Sequence, residues 1–269
     1  MSDNDAVLSE IDRRGVARVI LNRPEVGNAY NGALIDGLIA TFARLERAPA
    51  LRCVVLLGAG RHFQAGADLG FLRYLGTAPA QENLDFSRAT MTAIDRLRHF
   101  PRPTVAIIQG GCFGGGVGIA AACDIAIAAE DAIFAISEVR WGITAAPIIP
   151  LLVDRLGQRV LGRLALTGER FTADEALRIG LVHEIGAADQ LDNMAERVLD
   201  NLLAAAPDAV AMTKALMAEA VDNPDTPAFR ERIVNEAADR RRLPEAAEGT
   251  ASFAEKRRPA WHLDPTHKA

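Results

Sequence analysis

Apolar and polar residues follow two different patterns along this chain. Short apolar runs that are rich in β-branched residues and free of charge predict buried strands at residues 53–57 and 105–108. Two strands at residues 7–11 and 16–21 flank a charged turn and predict a β-hairpin. Apolar residues spaced three and four apart predict amphipathic helices at about residues 32–47 and 81–99. Strands and helices therefore alternate through the first part of the sequence, which is typical of an α/β fold.

The pattern changes near residue 187. Short strands continue up to that point, and the last of them is predicted at residues 181–185. The later segments have charged faces and helical spacing only, and the predicted helices cover residues 190–205, 208–221 and 227–242. This order predicts an α/β core over residues 1–187 and a helical C-terminal part over residues 188–269.

The stretch at residues 104–123 organises the rest of the chain. A buried strand is followed by a glycine-dense turn and then by small apolar residues that suit a buried helix. The first amides of a helix have no partner within the helix, so they offer hydrogen-bond donors to an anion. We interpret the segment as an anion site built from backbone, while a tight turn needed only for packing remains an equal alternative.

A second glycine-bearing loop, residues 58–68, also follows directly after a buried strand. Two loops of this kind can direct two backbone amides at one oxygen and so form an oxyanion hole. Such a hole stabilises the charge that develops on an enolate or a tetrahedral intermediate.

Composition narrows the class of function. The net charge of −5 gives no general attraction to nucleic acid or to an anionic membrane, so neither is an expected partner. Residues 104–123 carry no charge, but six glycines and Gln109 argue against a membrane span. The polar, acidic N-terminus resembles no secretion signal, and the cytoplasm is the expected location. Neither the three cysteines nor the scattered histidines have metal-ligand spacing, and no metal site is expected.

Several motifs, in order along nearly the whole chain, resemble the enoyl-CoA hydratase/isomerase family, the crotonase superfamily. They are the runs LNRP at 21–24, HFQAGADL at 62–69, the segment 103–124 with GGG at 114–116, FAISE at 134–138, LTGERF at 166–171 and SFAEKR at 252–257. The resemblance implies a crotonase-type spiral of strand–strand–helix units with a helical C-terminal part that forms trimers or hexamers. Weak recurrences at residues 7–46, 52–99 and 124–156 are compatible with such units.

The resemblance also implies a site for an acyl-CoA thioester and no cofactor beyond the coenzyme A of that substrate. The backbone amides of Ala67 and Gly115 would polarise the thioester carbonyl, and Glu138 would be the catalytic carboxylate. The apolar neighbours of Glu138 are expected to raise the pKa of its side chain. The remaining implied substrate-binding residues are Arg23, Glu25, Val26, Ala65, Gly66, Asp68, Leu69, Gly114, Gly118 and Lys256.

One departure from the family pattern changes the expected chemistry. Well-studied hydratases of the family have a second glutamate where this chain has Gly118. We therefore expect a lyase that hydrates a 2-enoyl-CoA with one glutamate, or else an isomerase that shifts a Δ3 double bond to Δ2. Neighbouring residues are similar to the methylglutaconyl-CoA hydratase branch, and the missing side chain suggests room near Gly118 for a branched acyl group.

Three other interpretations stay open at this point. Cys112 lies between a strand and a helix, as the nucleophile of a hydrolase elbow does. Residues 116–121 fit the dinucleotide pattern GxGxxA, although no acidic residue follows at the required distance. A protein of this family that binds acyl-CoA without turning it over is the third. Asp68 and Asp124 are expected to cap or brace the loops that they end.

Overall fold

The computed structural model describes residues 5–222 and 226–262. Alternating strands and helices fill the first two thirds of the chain, and helices follow. The strands are β1 (Val7–Ile11), β2 (Val16–Leu21), β3 (Cys53–Gly58), β4 (Thr104–Ile108), β5 (Gly111–Phe113), β6 (Ile125–Ala129), β7 (Ile133–Ala135), β8 (Arg170–Thr172) and β9 (Glu184–Gly186). The helices are α1 (Gly32–Leu45), α2 (Leu69–Leu75), α3 (Ala80–Arg98), α4 (Gly115–Ala122), α5 (Ile149–Thr167), α6 (Ala173–Arg178), α7 (Leu191–Ala204), α8 (Pro207–Asp222), α9 (Pro227–Arg240) and α10 (Pro244–Ala254).

The strands form two sheets. The larger sheet has the order β1-β2-β3-β4-β6-β9, in which β1 pairs antiparallel with β2 and the other neighbours are parallel. The smaller sheet has the order β5-β7-β8, and β5 and β7 are parallel. The apolar runs at β3, β4 and β6 lie in the middle of the large sheet and are almost wholly buried, as continuous apolar strands of a parallel sheet should be.

Most predicted elements are present, with some differences. Strand β5 was not predicted, because its glycine-rich sequence indicates a turn. Helix α2 was not predicted either, and the strand expected at residues 181–185 is β9, which begins only at Glu184. The uncharged stretch 104–123 is divided among β4, β5 and α4. In the described part of the chain, no helix is long and apolar enough to cross a membrane.

The C-terminal part is helical from α7 onward, as predicted. Helix α7 packs on β6 and β4, and its residues Leu191, Ala195 and Leu199 belong to the main hydrophobic core. Helix α9, in contrast, has no buried residue. The division into domains at residues 187 and 188 stays a prediction.

Candidate active site

The two glycine-bearing loops lie side by side because they pair through their backbones. Gln64 N donates to the carbonyl oxygen of Gly111 over 3.1 Å, and Phe113 N donates to that of Gln64 over 2.8 Å. The loop after β3 therefore runs along β5 and ends beside the N-terminus of α4. This pairing brings the segments that contain Ala67 and Gly115 together, as the sequence predicts.

Glycine is required where these loops approach their neighbours. Gly114 has a φ of +51°, which a residue with a side chain rarely adopts, and a Cβ there would lie 2.7 Å from Glu138 Oε1. Its amide donates to the carbonyl oxygen of Ala135 in β7 over 2.8 Å. The carboxylate thus lies directly against the backbone at the start of α4.

Glu138 begins a short 3-10 helix, Glu138–Trp141, just after β7. The residue is 8% exposed, and its Oε2 atom has no hydrogen-bond partner in the described part of the protein. Burial raises the pKa of the carboxyl above its ordinary value of 4.5. A buried carboxylate with an unsatisfied oxygen is costly to the fold, so its presence beside a cavity indicates a chemical role.

A cleft of about 260 Å³ opens at this place. Glu138 and the Gly114 backbone line it, together with Ala65, Gly66, Ala67 and Leu69 of the first loop. A smaller cavity of about 30 Å³ lies next to it and is lined by Gly115, Glu138, Tyr30, two threonines and apolar side chains. The residues predicted for catalysis and for contact with the acyl thioester are therefore brought to one place.

The amides of Ala67 and Gly115 are both available. Neither N–H makes a hydrogen bond to another group among the described residues. Ala67 and Tyr30 face each other in a parallel bridge whose hydrogen bonds are made by the Gly66 carbonyl oxygen and the Asp68 N–H. The N–H of Ala67 takes no part in the bridge. Gly115 is the first residue of α4, where no partner within the helix exists.

Asp68 has the capping role expected for it. Its carboxylate accepts hydrogen bonds from Gly70 N and Phe71 N at the start of α2 and forms an ion pair with Arg23, with an N–O distance of 3.0 Å. The hydrogen bonds from Arg23 and the backbone lower the pKa of the Asp68 carboxyl, although burial opposes them. Glu25 and Val26 follow in a short helical turn, Pro24–Val26, and are exposed close to this ion pair.

Lys256 is not among the residues that line the cleft. It follows α10, which is held near the start of β3 by the hydrogen bond from Arg52 to the Trp261 carbonyl oxygen. The cleft lies at the opposite, carboxyl end of the parallel strands. The contact of Lys256 with the substrate stays a prediction.

The space expected near Gly118 is absent, and that expectation was wrong. A Cβ at Gly118 would lie 2.2 Å from Ile148 Cγ2. The side chain of Ile148 therefore occupies the position into which a second carboxylate or a branched acyl group would extend. No sequence pattern predicts this contact, since Ile148 lies thirty positions further along the chain.

The cysteine and dinucleotide hypotheses do not fit the structure. Cys112 is fully buried in β5, and burial raises the pKa of its thiol well above the ordinary range, so it is not an activated nucleophile. Gly116 and Gly118 lie inside α4 against other side chains and not in an open phosphate-binding loop. Among the described residues, no three side chains of metal-binding type come together.

Comparison with known proteins identifies the relatives of this chain. Residues 12–264 match the family model described as enoyl-CoA hydratase/isomerase. The chain is 37% identical to hydroxycinnamoyl-CoA hydratase-lyase of Pseudomonas fluorescens, over 70% of each protein. It is 33% identical to a peroxisomal Δ(3,5)-Δ(2,4)-dienoyl-CoA isomerase of Arabidopsis thaliana, over 75% of this chain and 77% of the relative.

A solved structure, the enoyl-CoA hydratase from Shewanella pealeana, matches with a TM-score of 0.90 and 33% identity. The match covers 95% of this chain and 96% of that one. Agreement at this level over the whole length confirms the fold class that the sequence motifs predicted.

Proposed function

This chain belongs to the enoyl-CoA hydratase/isomerase family, and from that premise we propose that it adds water across the double bond of a 2-enoyl-CoA. The observation that carries the proposal is Glu138, a buried carboxylate that lines the cleft between the two loops and whose Oε2 has no hydrogen-bond partner among the described residues. A carboxylate in this position can take a proton from water and return it to carbon.

In the proposed site, the amides of Ala67 and Gly115 bind the thioester oxygen. Both N–H groups lack partners among the described residues, and Tyr30 adjoins both loops, which places them near each other. Loss of one such donor costs about 3–4 kcal/mol of transition-state stabilisation in comparable sites. Backbone donors are fixed before substrate binds, so they need no rearrangement during the reaction.

The proposed addition needs one acid–base group. Glu138 accepts a proton from water as the oxygen bonds to the β-carbon, and the π electrons move to the thioester oxygen to form an enolate. Glu138 then gives the proton to the α-carbon, so that the product gains one water. The raised pKa of Glu138 suits both steps. A pKa closer to physiological pH lets the same carboxyl group both accept a proton and give it up.

We assign the coenzyme A portion to the first loop and its neighbours. The backbone of Ala65, Gly66 and Leu69 borders the cleft, while Arg23 and Asp68 hold the adjoining turn in place. We do not propose a branched acyl group for the substrate, because Ile148 fills the space that such a group was expected to use.

Isomerisation from Δ3 to Δ2 is the second candidate. It needs one proton carrier and no water, and the structure offers Glu138 without a second carboxylate at Gly118. Mass spectrometry of products from a panel of enoyl-CoA thioesters separates the two reactions. A gain of one water supports hydration, whereas an unchanged mass with a shifted double bond supports isomerisation. Substrate binding without any turnover would instead support a non-catalytic acyl-CoA-binding protein.

We also propose a homotrimer or a homohexamer built through the C-terminal helices. Apolar side chains are exposed on this part of the chain, among them Met217, Val221, Val234 and Phe253. Exposed apolar groups clustered on one region are typical of surfaces that another subunit covers. Light scattering of the purified protein tests the mass. The cytoplasm stays the predicted location.

A further inference from the structure

Tyr30 lies between the two loops that form the candidate site. Its amide donates to the Gly66 carbonyl oxygen over 2.8 Å, and its own carbonyl oxygen accepts from Asp68 N over 3.0 Å. On the other side, a Cβ placed on Gly115 would lie 2.7 Å from the ring atom Cε1. One residue therefore contacts the segments that supply both proposed oxyanion donors.

The phenol of Tyr30 is held in a mainly apolar setting. Its ring stacks on Phe86, with 6.2 Å between the centroids and 15° between the planes. Burial, assisted by the charge of Glu138, raises the pKa of the hydroxyl to about 12, so the group is neutral at physiological pH. Among the described residues, the hydroxyl takes part in no hydrogen bond. Tyr30 is half-buried and its hydroxyl is not among the fully buried polar atoms, so the hydroxyl is open to a polar partner such as water.

Tyr30 and Glu138 both line the outer cleft and the inner cavity. The inner cavity, of about 30 Å³, can hold a water molecule, which needs roughly 10–15 Å³ and two to four polar partners. Four isoleucines contribute to its walls: Ile35, Ile94, Ile119 and Ile148. Two threonines also border it; Thr90 already donates to the Phe86 carbonyl oxygen, and Thr144 is the other.

We propose that Tyr30 is a further catalytic group, and that its hydroxyl and Glu138 Oε2 together hold the water that is added to the substrate. The proposal rests on the hydratase function. Both residues line the two cavities, and among the described residues neither Glu138 Oε2 nor the Tyr30 hydroxyl has a hydrogen-bond partner, so both groups are available to one water. During addition the water proton passes to Glu138, the oxygen bonds to the β-carbon, and the phenol keeps its own proton.

This role accounts for the loss of a second carboxylate. At Gly118 the side chain of Ile148 takes the space, so a glutamate could not be accommodated there without displacing it. Tyr30 lies just ahead of α1, lines both cavities with Glu138, and provides a neutral group in place of a charged one. A neutral partner also avoids the repulsion that a second carboxylate would exert on Glu138.

The test compares two reactions in the full-length protein. Tyr30→Phe removes only the oxygen, and hydration of crotonyl-CoA is measured with kcat and KM separated. The same variant is assayed for exchange of the α-protons of butyryl-CoA in D₂O, which uses Glu138 and the oxyanion amides but no added water. We expect kcat for hydration to fall about 10- to 100-fold, KM to change less than threefold, and exchange to fall less than threefold. Tyr74→Phe is the matched control, because Tyr74 is exposed and its hydroxyl bonds Glu82.

Each result decides the proposal. Selective loss of hydration supports it. Hydration by Tyr30→Phe at the rate of the unaltered protein overturns it, and so does an equal fall in hydration and exchange, which would mark a purely structural residue. If the unaltered protein exchanges α-protons but hydrates no enoyl-CoA, the hydratase function fails first and the water site fails with it.

Discussion

Helix α4 has a carboxylate at each of its ends, and the two are treated in opposite ways. Asp124, just beyond the C-terminus, accepts hydrogen bonds on Oδ2 from Thr104 N, Thr104 Oγ1 and Lys214 Nζ at 2.8, 2.9 and 2.6 Å. Glu138, against the N-terminus, has an oxygen without a partner among the described residues. The same chemical group therefore braces the fold at one end and is left available for chemistry at the other.

The contrast shows why carboxylates in a sequence cannot be assigned by type alone. A carboxylate that is fully paired contributes to stability, and its proton affinity is of little use to a substrate. A carboxylate buried without a partner costs stability and has an altered proton affinity, which is the condition for acid–base chemistry. The four predictions that follow test this difference, beginning with the largest effect.

Glu138→Gln should abolish the reaction while the fold persists. The amide keeps the shape of the side chain but cannot accept a proton, so kcat should fall about 10²- to 10⁴-fold. Steady-state kinetics and a melting curve are measured together. Glu130→Gln is the control, since Glu130 is exposed at the end of β6 and should change neither quantity. Activity within tenfold of the unaltered protein would remove Glu138 from the mechanism.

Gly115→Ala should damage the N-terminal end of α4 specifically. The added Cβ meets the ring of Tyr30 at 2.7 Å, so the amide beside it must move. We expect kcat to fall about 100-fold, in line with the loss of one oxyanion donor. Gly162→Ala in α5 is the matched control because a Cβ there has no neighbour within 4 Å. It should keep full activity and gain up to about 1 kcal/mol of stability. Equal kinetics in the two variants would contradict the oxyanion assignment.

Asp124→Asn, at the other end of α4, should lower stability and leave activity nearly unchanged. The substitution leaves Lys214 without its carboxylate partner. In the unaltered protein the side chain of Lys214 is 12% exposed and that of Asp124 is 22% exposed. Because water partly screens the pair, we expect a loss of about 1–3 kcal/mol of unfolding free energy, below the cost for a fully buried pair. Chemical denaturation measures the loss, and kcat should change less than twofold. A large fall in kcat with unchanged stability would contradict the structural role of Asp124 and would place it in the reaction instead.

The smallest effect is a pH dependence of stability. Burial raises the pKa of Glu138 in the folded protein, so ionisation destabilises the fold. The stability gained from the protonated Glu138 carboxyl is fully present below its ordinary pKa of 4.5, and it is lost as pH rises through the higher pKa of the folded protein. Glu138→Gln should therefore match the unaltered protein at acid pH and become relatively more stable as pH rises towards 7. Melting curves over this range test the sign, and the opposite trend would contradict the desolvated state of the carboxyl.

The sequence was informative where local pattern and structure coincide. The apolar runs of β3 and β4 lie at the centre of the sheet, because continuous apolar strands are stable only where both faces are buried. The resemblance to the family implied that the two glycine loops and Glu138 share one site, and residues of both loops line the same cleft as Glu138.

Contacts between distant segments were beyond the sequence pattern. The contact of Ile148 with Gly118 and that of Tyr30 with Gly115 depend on how separate elements pack. No local sequence pattern predicts either contact. Strand β5 was missed for a similar reason, since glycine residues pair there only because β7 and the first loop supply partners on both sides. Helix α2 is short and depends on the Asp68 cap.

All three thiols, those of Cys53, Cys112 and Cys123, are buried, and burial raises the pKa of each. Alkylating reagents can reach them only when the surrounding structure opens. The rate of labelling by such a reagent should therefore follow the opening equilibrium of the core, at three points in β3, β5 and the end of α4. The protein thus contains its own reporters of local unfolding, with no need to introduce a cysteine.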